Sequence, residues 1–530
     1  MKKQINIIDL FAGPGGLGEG FSGYQNPKKN YPFKIRMSVE KEESAHKTLQ
    51  LRAFFRQFRG KKLPPEYYEY IKNPQKLNKH KLEKFKNQLF EKYWKESTTA
   101  IKETLGGPQT LGNEDSDRLI QSKLSKLLKK HDGEDFIVIG GPPCQAYSNA
   151  GKSRMAGIED YKIEEDERAE LYLEFLKVIH KVNPKVFVME NVKGILSAKL
   201  HDELVFPRII RDLKNPGKVI NNRTKSKYHI YSLVKSPDSY DDNGEPIYND
   251  LRSFTIHAEE HGVPQNRHRV ILLGVRDDVE YEPGTLQEDL NKTSIKSILD
   301  GLPVLRSGIS KAGGDKSEKW YAKINKAGKA LVTALNTTNS KKHAKNIKEH
   351  IKKISPNLNR GGRFVASKKS GFLPSFNKPL KSWLYDPQLG GFPNHETKEH
   401  MYDDLKRYLW ISTYGELNRV SPKSRDFPGF LAPNHKNWES GDHADRFKVQ
   451  IKNKPSSTIT CHLSKDGHAS IHYDPKQCRS FTVREAARIQ TFPDNYFFEG
   501  TKTEQYVQVG NAVPPYLANQ IAEIVYDVLS

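Results

Sequence analysis

The sequence predicts an α/β protein built on an open, twisted sheet that binds its ligand at the carboxyl ends of the strands. Three stretches carry this prediction. Phe136-Ile137-Val138-Ile139 is a short apolar run rich in β-branched residues, the pattern of a strand buried on both faces. It breaks at Gly140-Gly141-Pro142-Pro143 and delivers Cys144 just past the strand. Ile5 to Leu10 is a second such run and leads into a glycine-rich turn. Lys185 to Met189 is a third, ending in Glu190-Asn191-Val192. Open α/β sheets hold ligands in the crevice outside the carboxyl ends of their strands.

The glycine turn reads Asp9-Leu10-Phe11-Ala12-Gly13-Pro14-Gly15-Gly16-Leu17-Gly18. Gly13, Gly15 and Gly18 satisfy the dinucleotide fingerprint, in which glycines let backbone approach a ligand and open a helix N-terminus. A second strand, Lys34 to Val39, ends in Glu40, an acidic residue placed to accept from ribose hydroxyls. NAD and S-adenosylmethionine satisfy these features equally, since both carry an adenosine ribose. From about residue 51 to 130 the chain is rich in Lys, Glu, Tyr and Leu at helical spacing, which predicts a helical insertion between strands. The strand and polar residue that would meet an adenine are not legible there.

A lone cysteine is most often a buried structural group. After Cys144, however, Gln145, Tyr147, Ser148 and Asn149 are polar or amphipathic, so the loop faces a wet or ligand-filled space and the thiol is a candidate nucleophile. A polar loop over residues 149–165 follows, then a helix from Arg168 to Val182 with Leu171, Phe175, Leu176 and Ile179 on one face. A strand over Tyr228 to Val234 precedes an acidic loop. Gln265-Asn266-Arg267-His268-Arg269 then runs into the strand Val270 to Leu273, with Arg267 and Arg269 on the same side of an extended chain.

The remainder is less regular. Residues 277–450 are poor in apolar residues and rich in Lys, Asn, Gly and Ser. Asn357 to Arg363 combines glycines with base-reading residue types. His395 to Trp410 reads as a helix burying Met401, Leu405, Tyr408 and Leu409. Pro455 to Tyr473 reads as a hairpin around Lys465-Asp466-Gly467. Its alternation explains the spacing of Cys461, His462, His468 and His472, so no metal is expected there or elsewhere. Thr482 and Glu485 form a capping box, and a final helix from Pro515 buries Leu517, Ile521, Ile524 and Val525.

The bulk numbers narrow the class. The 530 residues predict two or three domains. Lys and Arg number 86 against 64 Asp and Glu, a net charge of +22, which favours a polyanionic partner and first of all nucleic acid. Three cysteines, Cys144, Cys461 and Cys478, fit a reducing compartment rather than a disulfide framework. The N-terminus is too short in apolar residues for a signal peptide, and no stretch is apolar enough to span a membrane.

Taken together, Asp9 to Gly18, Pro142-Pro143-Cys144-Gln145, Glu190-Asn191-Val192, Gln265 to Arg269, Arg479 to Asp494 and Gln508 to Pro515 resemble a DNA (cytosine-5)-methyltransferase of the bacterial or phage restriction-modification type. The blocks stand in the family's order along nearly the whole chain. The chain departs from the pattern in its missing adenine-facing strand and in Ala146-Tyr147 after Gln145. The resemblance implies a Rossmann-like, S-adenosylmethionine-dependent sheet with helices on both faces and a smaller target-recognition domain. It implies residues 1–280 as the catalytic domain, 281–478 as target recognition and 479–530 as a return to the catalytic domain.

The resemblance also assigns roles. Cys144 is the nucleophile, and Glu190, Arg267 and Arg269 complete the catalytic set. Phe11, Ala12, Gly13, Gly15, Gly16, Leu17, Glu40, Gly141, Pro143, Asn511 and Val513 hold the cofactor. It implies base flipping in double-stranded DNA by a monomer located in the cytoplasm at the nucleoid, with a cognate restriction endonuclease as a functional counterpart rather than a required physical partner. Two rivals share parts of the text. An NAD-linked oxidoreductase leaves Cys144, Glu190 and the arginine pair unexplained. A non-catalytic nucleic-acid binder, or an enzyme acting on RNA, leaves the intact Cys-Glu-Arg set or the long basic segment unexplained.

Overall fold

The computed structural model describes residues 4–72, 79–105, 107–143, 171–200, 202–221, 223, 225–310, 315–338, 340–368, 372, 376, 378–433, 438 and 446–530. Among them the main sheet has seven strands: β1 (Ile5–Leu10), β2 (Phe33–Val39), β3 (Phe136–Gly140), β4 (Val186–Val192), β5 (Tyr228–Tyr231), β6 (Thr255–His257) and β7 (His268–Arg276). Their order is β6-β7-β4-β3-β1-β2, with β5 also paired to β7. The strands β2, β1, β3 and β4 run parallel, and β7 is antiparallel to each of its neighbours.

Alternation along the strands creates two cores. Ile8, Leu10, Met37, Val138, Phe187 and Met189 face one layer, closed by helices Glu114–Lys130, Leu171–Val182 and Val205–Lys214. Ile7, Ile35, Ile137, Ile139, Val188, Ile271 and Leu273 face the other, closed by helices Gly16–Gly23 and Pro515–Leu529. A sheet buried on both faces needs apolar residues at successive positions, which is why these strands read as continuous apolar runs. The last helix lies against the first because Gly20 removes the side chain that would collide with Ala518 and the Pro515 carbonyl.

Between β2 and β3 the described residues form five helices, Glu43–Arg56, Pro65–Lys72, Lys79–Lys92, Trp94–Glu103 and Glu114–Lys130. No strand among the described residues lies beyond β2, so the sheet stops there. The chain returns past the end of β2 instead, with Gln109 N–H donating to Glu40 O at 2.8 Å.

Two sequence expectations fail in the C-terminal half. The helix expected over His395–Trp410 begins at Tyr402 and runs to Asn418, because Gly391–Glu396 is a strand paired with Gly361–Ala366. Leu405, Tyr408 and Leu409 are buried as expected, but Met401 is the N-cap and is 53% exposed. The hairpin expected over Pro455–Tyr473 is instead two short 3-10 turns, Cys461–Ser464 and His468–Ser470. Ser456–Ser457 pairs with Gln265–Asn266 rather than with its own neighbour, because the Gln450 side chain holds that turn through Ser456 and Ser457. The capping box at Thr482 and Glu485 is present. Among the described residues no helix is long and apolar enough to cross a membrane.

Candidate active site

The parallel strands β1, β3 and β4 present their carboxyl ends side by side. Leu10, Gly140 and Met189 lie in one row, so the glycine turn, the Gly141-Pro142-Pro143 segment and Glu190 are neighbours. Cys144 follows Pro143 directly and lies outside the described residues, as does the polar loop over residues 149–165.

Glu190 points into this row from β4. It lies within the strand rather than just past it, since β4 continues three residues beyond Met189, to Val192. Arg269 Nε approaches Glu190 Oε1 at 2.9 Å. A side chain on Gly141 would come within 2.9 Å of Glu190 Oε2, so only glycine leaves that carboxylate its position. Glu190 therefore stands between a guanidinium and the segment that leads into Cys144.

The two arginines part company. Although they alternate in sequence, Arg267 precedes the strand and is 1% exposed. Its Nη1 and Nη2 donate to Ile459 O (3.0 Å) and Gly510 O (3.2 Å). Burial, with Arg269 next to it, holds the Arg267 guanidinium well below its ordinary pKa. Gln265 joins the same junction: its amide donates to Gln490 Oε1 at 2.7 Å and its carbonyl accepts from Ile459 N–H at 2.7 Å.

The glycine turn is tightly built. Phe11, Gly13 and Gly15 have positive φ (51°, 56° and 95°), and Gly15 caps the helix Gly16–Gly23. Phe11 packs on the apolar core and Leu17 is buried in the opposite one. Ala12 N–H donates to Val39 O at 3.0 Å, tying the turn to β2. Gly16 lies against Val513, whose carbonyl a Cβ would meet at 2.2 Å. Tyr496 donates its hydroxyl to Pro14 O from the other side. Asn511 ends the helix Lys502–Asn511 with its side chain exposed. Gln490 fixes the backbone on either side of it by donating to Val509 O (2.7 Å) and Ala512 O (3.0 Å).

Glu40 accepts from Gly13 N–H (2.7 Å) and Glu42 N–H (2.8 Å), one on each carboxylate oxygen. Each oxygen keeps a second lone pair, so both remain able to accept from ribose hydroxyls. Burial raises the Glu40 pKa, and these two N–H donors oppose the rise. Beside it, burial pushes the Asp9 carboxyl up to about 7, Arg56 opposing and Glu40 adding to the shift. Among the described residues nothing lies within 4 Å of where a Gly13 Cβ would stand, so the turn leaves room beside it as a nucleoside site requires. The Glu40 acceptor oxygens and the room beside Gly13 fit a nucleoside cofactor. Sequence reasoning includes Gln265 and Gln490 within larger motifs but gives neither a role, and it passes over Tyr496; these polar side chains serve the site only after the C-terminal segment folds back. Gln109, whose N–H donates to Glu40 O, lies beside the acidic residue, and Gly107-Pro108 just before it is the sequence signal that the helical text has ended.

A mixed α/β sheet whose parallel strands end in a glycine turn and an acidic residue, with a Glu-Arg pair at the adjoining strand ends, has the features of a nucleoside-cofactor transferase. The model of the family described as C-5 cytosine-specific DNA methylase matches residues 71–238 and 248–526, and the chain belongs to this family. It is similar to a type II methyltransferase, M.Bpa9945I, of Bacillus paralicheniformis, at 32% identity over 99% of both chains. It is also similar to M.DdeI of Desulfomicrobium norvegicum, at 27% identity over 73% of this chain and 71% of that one. Among solved structures, the Entamoeba histolytica methyltransferase EhMeth aligns over 100% of this chain and 99% of its own, with 15% identity and a TM-score of 0.42. The protein is thus a DNA (cytosine-5-)-methyltransferase, with cytosine in DNA as substrate and S-adenosylmethionine as methyl donor.

Proposed function

We propose that the enzyme methylates carbon 5 of a cytosine flipped out of a specific duplex sequence, through a covalent adduct on Cys144. The observation that carries this reading is the Glu190 carboxylate held between Arg269 and Gly141. Carbon 5 of cytosine is a poor nucleophile. Addition of the Cys144 thiolate to carbon 6 makes the ring enamine-like. Glu190 holds the pyrimidine edge and gives a proton to ring nitrogen 3 as charge develops there. Arg269 orients Glu190 and the carbonyl edge of the base. Arg267 is a positioning residue that ties the approach to β7 to Ile459 and Gly510. Bound S-adenosylmethionine would supply the electrophilic methyl to carbon 5, with its sulfonium S–CH3 bond breaking and S-adenosylhomocysteine leaving. Loss of the carbon 5 proton then lets the thiolate leave carbon 6.

Glu40 accepts from the ribose hydroxyls, and Phe11, Ala12, Gly13, Gly15, Gly16 and Leu17 form the turn that approaches the cofactor. Gly141, Pro143, Asn511 and Val513 border it. The target carbon is inaccessible in a duplex, which requires the base to be flipped. Residues 281–478 read the DNA sequence, and the charge of +22 supplies phosphate contacts. The names of the curated relatives support a place in a type II restriction-modification system.

The test is expression on a plasmid in a host without cytosine methylation. Digestion to nucleosides should yield 5-methyldeoxycytidine, and bisulfite sequencing should place it in one short recurring sequence. Scattered methylation without a common sequence, or none, would refute the specific-duplex reading.

A further inference from the structure

We propose that His257, Glu259 and His268 form a binding site for a divalent first-row transition-metal ion, with zinc as the reference ion. The three side chains offer ligand atoms that all lie within 4.8 Å of one another. His257 and His268 are directly opposed residues of the β6–β7 ladder, and their rings stack with centroids 4.0 Å apart. Glu259 comes up from the 3-10 turn that follows β6.

Two features mark a built site rather than a chance group of polar residues. The Glu259 side chain is only 7% exposed, and Oε1 faces His268 Nε2 at 2.8 Å. Its Oε2 is buried with no hydrogen-bond partner among the described residues. A buried carboxylate oxygen without a donor is costly, and a cation removes that cost. Second, the carboxylate of Glu260 comes to 3.5 Å from His257 Nδ1. A carboxylate on one ring nitrogen is the arrangement that orients a ligating imidazole.

Two imidazoles and one carboxylate suit zinc and its borderline neighbours rather than calcium or magnesium, and three protein ligands leave one position open. Tetrahedral coordination at about 2.1 Å places ligand atoms about 3.4 Å apart. The site must therefore close by roughly an ångström. His257, 39% exposed, and His268, 35% exposed, are free to turn that far. A cavity of about 380 Å³ lined by Arg252, Thr255, His257 and Glu260 opens beside the site and admits an ion. The ion would pin β6 to β7 one residue before Arg269, on the far side of the strand from Glu190. The sequence carries no signal for it, since His257 and His268 become neighbours only when the strands pair.

The test uses full-length enzyme without a histidine tag, stripped with chelator and titrated calorimetrically with zinc chloride. Expected are one equivalent bound and a weakening of about tenfold or more in each of His257→Gln and Glu259→Gln, with circular dichroism unchanged. Cobalt substitution should give visible d–d bands without sulfur charge-transfer bands. In case a variant misfolds, copper-loaded wild-type enzyme should show two nitrogen ligands by electron paramagnetic resonance. No saturable binding, affinity unchanged in His257→Gln, sulfur charge transfer pointing to Cys461, or copper without nitrogen ligands would each overturn the assignment.

Discussion

Arg269 lies diagonally across the β4–β7 ladder from Glu190: Ile271 is the residue directly opposite Glu190, and Arg269, two positions along, turns its Nε to within 2.9 Å of Oε1. Arg267, two residues earlier still, has left the ladder and is spent on backbone carbonyls. The two should therefore fail in different ways. Arg269→Ala should lower methyl transfer by about 10²-fold or more, with little change in unfolding by denaturant. Arg267→Ala should destabilise by about 2–4 kcal/mol, because it leaves two buried carbonyls without donors. The reverse pattern would exchange their roles.

Glu190→Gln keeps the shape but cannot deliver the carboxyl proton. Single-turnover methyl transfer should slow by about 10²-fold or more, while DNA affinity changes far less. Near-normal turnover would remove Glu190 from the mechanism.

Two glycines are held to their size by opposite neighbours. Gly141→Ala would press a methyl to 2.9 Å from Glu190 Oε2, so turnover should fall by roughly tenfold or more while the fold is kept. Gly16→Ala would meet the Val513 carbonyl at 2.2 Å, backbone that cannot give way cheaply. Its effect should appear in calorimetry as weaker S-adenosylmethionine binding. Equal cofactor affinity in wild type and Gly16→Ala would contradict the placement of the glycine turn.

Asp9 gives a pH test. Its folded pKa of about 7 lies above the ordinary carboxyl value, so the folded state binds more protons between about pH 4 and 7. Stability from this group is thus greatest below that window and falls as pH rises through it. Asp9→Asn removes the slope, and its stability relative to wild type should rise by about 2–4 kcal/mol from pH 4 to pH 8. A flat difference in denaturation across that range would show that Asp9 is ionised in the fold.

The covalent step can be trapped. With fluorine at carbon 5 no proton is available to leave after methyl transfer, so the thiolate cannot be eliminated. DNA carrying 5-fluorocytosine in the recognition site should form an adduct that survives denaturing electrophoresis and maps to Cys144. Cys478 is a built-in control, since it is buried with its thiol on Pro475 O. Cys144→Ala should form no adduct. An adduct on Cys461 would sink the choice of nucleophile while leaving the reaction class intact.

Residue type and order by themselves determined the buried α/β sheet, the glycine turn and Glu40, because strands buried on both faces must be apolar throughout and positive φ at Gly13 and Gly15 is a conformation that favours glycine. They also determined the capping box at Thr482 and the buried face of the last helix, which are local patterns. Tertiary structure alone decided which arginine meets Glu190, because Arg267 and Arg269 are equivalent in an extended chain and differ only once Ile459 and Gly510 approach. It also decided that Gly107 to Leu111 passes Glu40 where a strand was expected, that residues 455–473 form turns instead of a hairpin, and that His257 faces His268. Each of these depends on how separate segments pair or pack, and no local periodicity records where such a partner will stand.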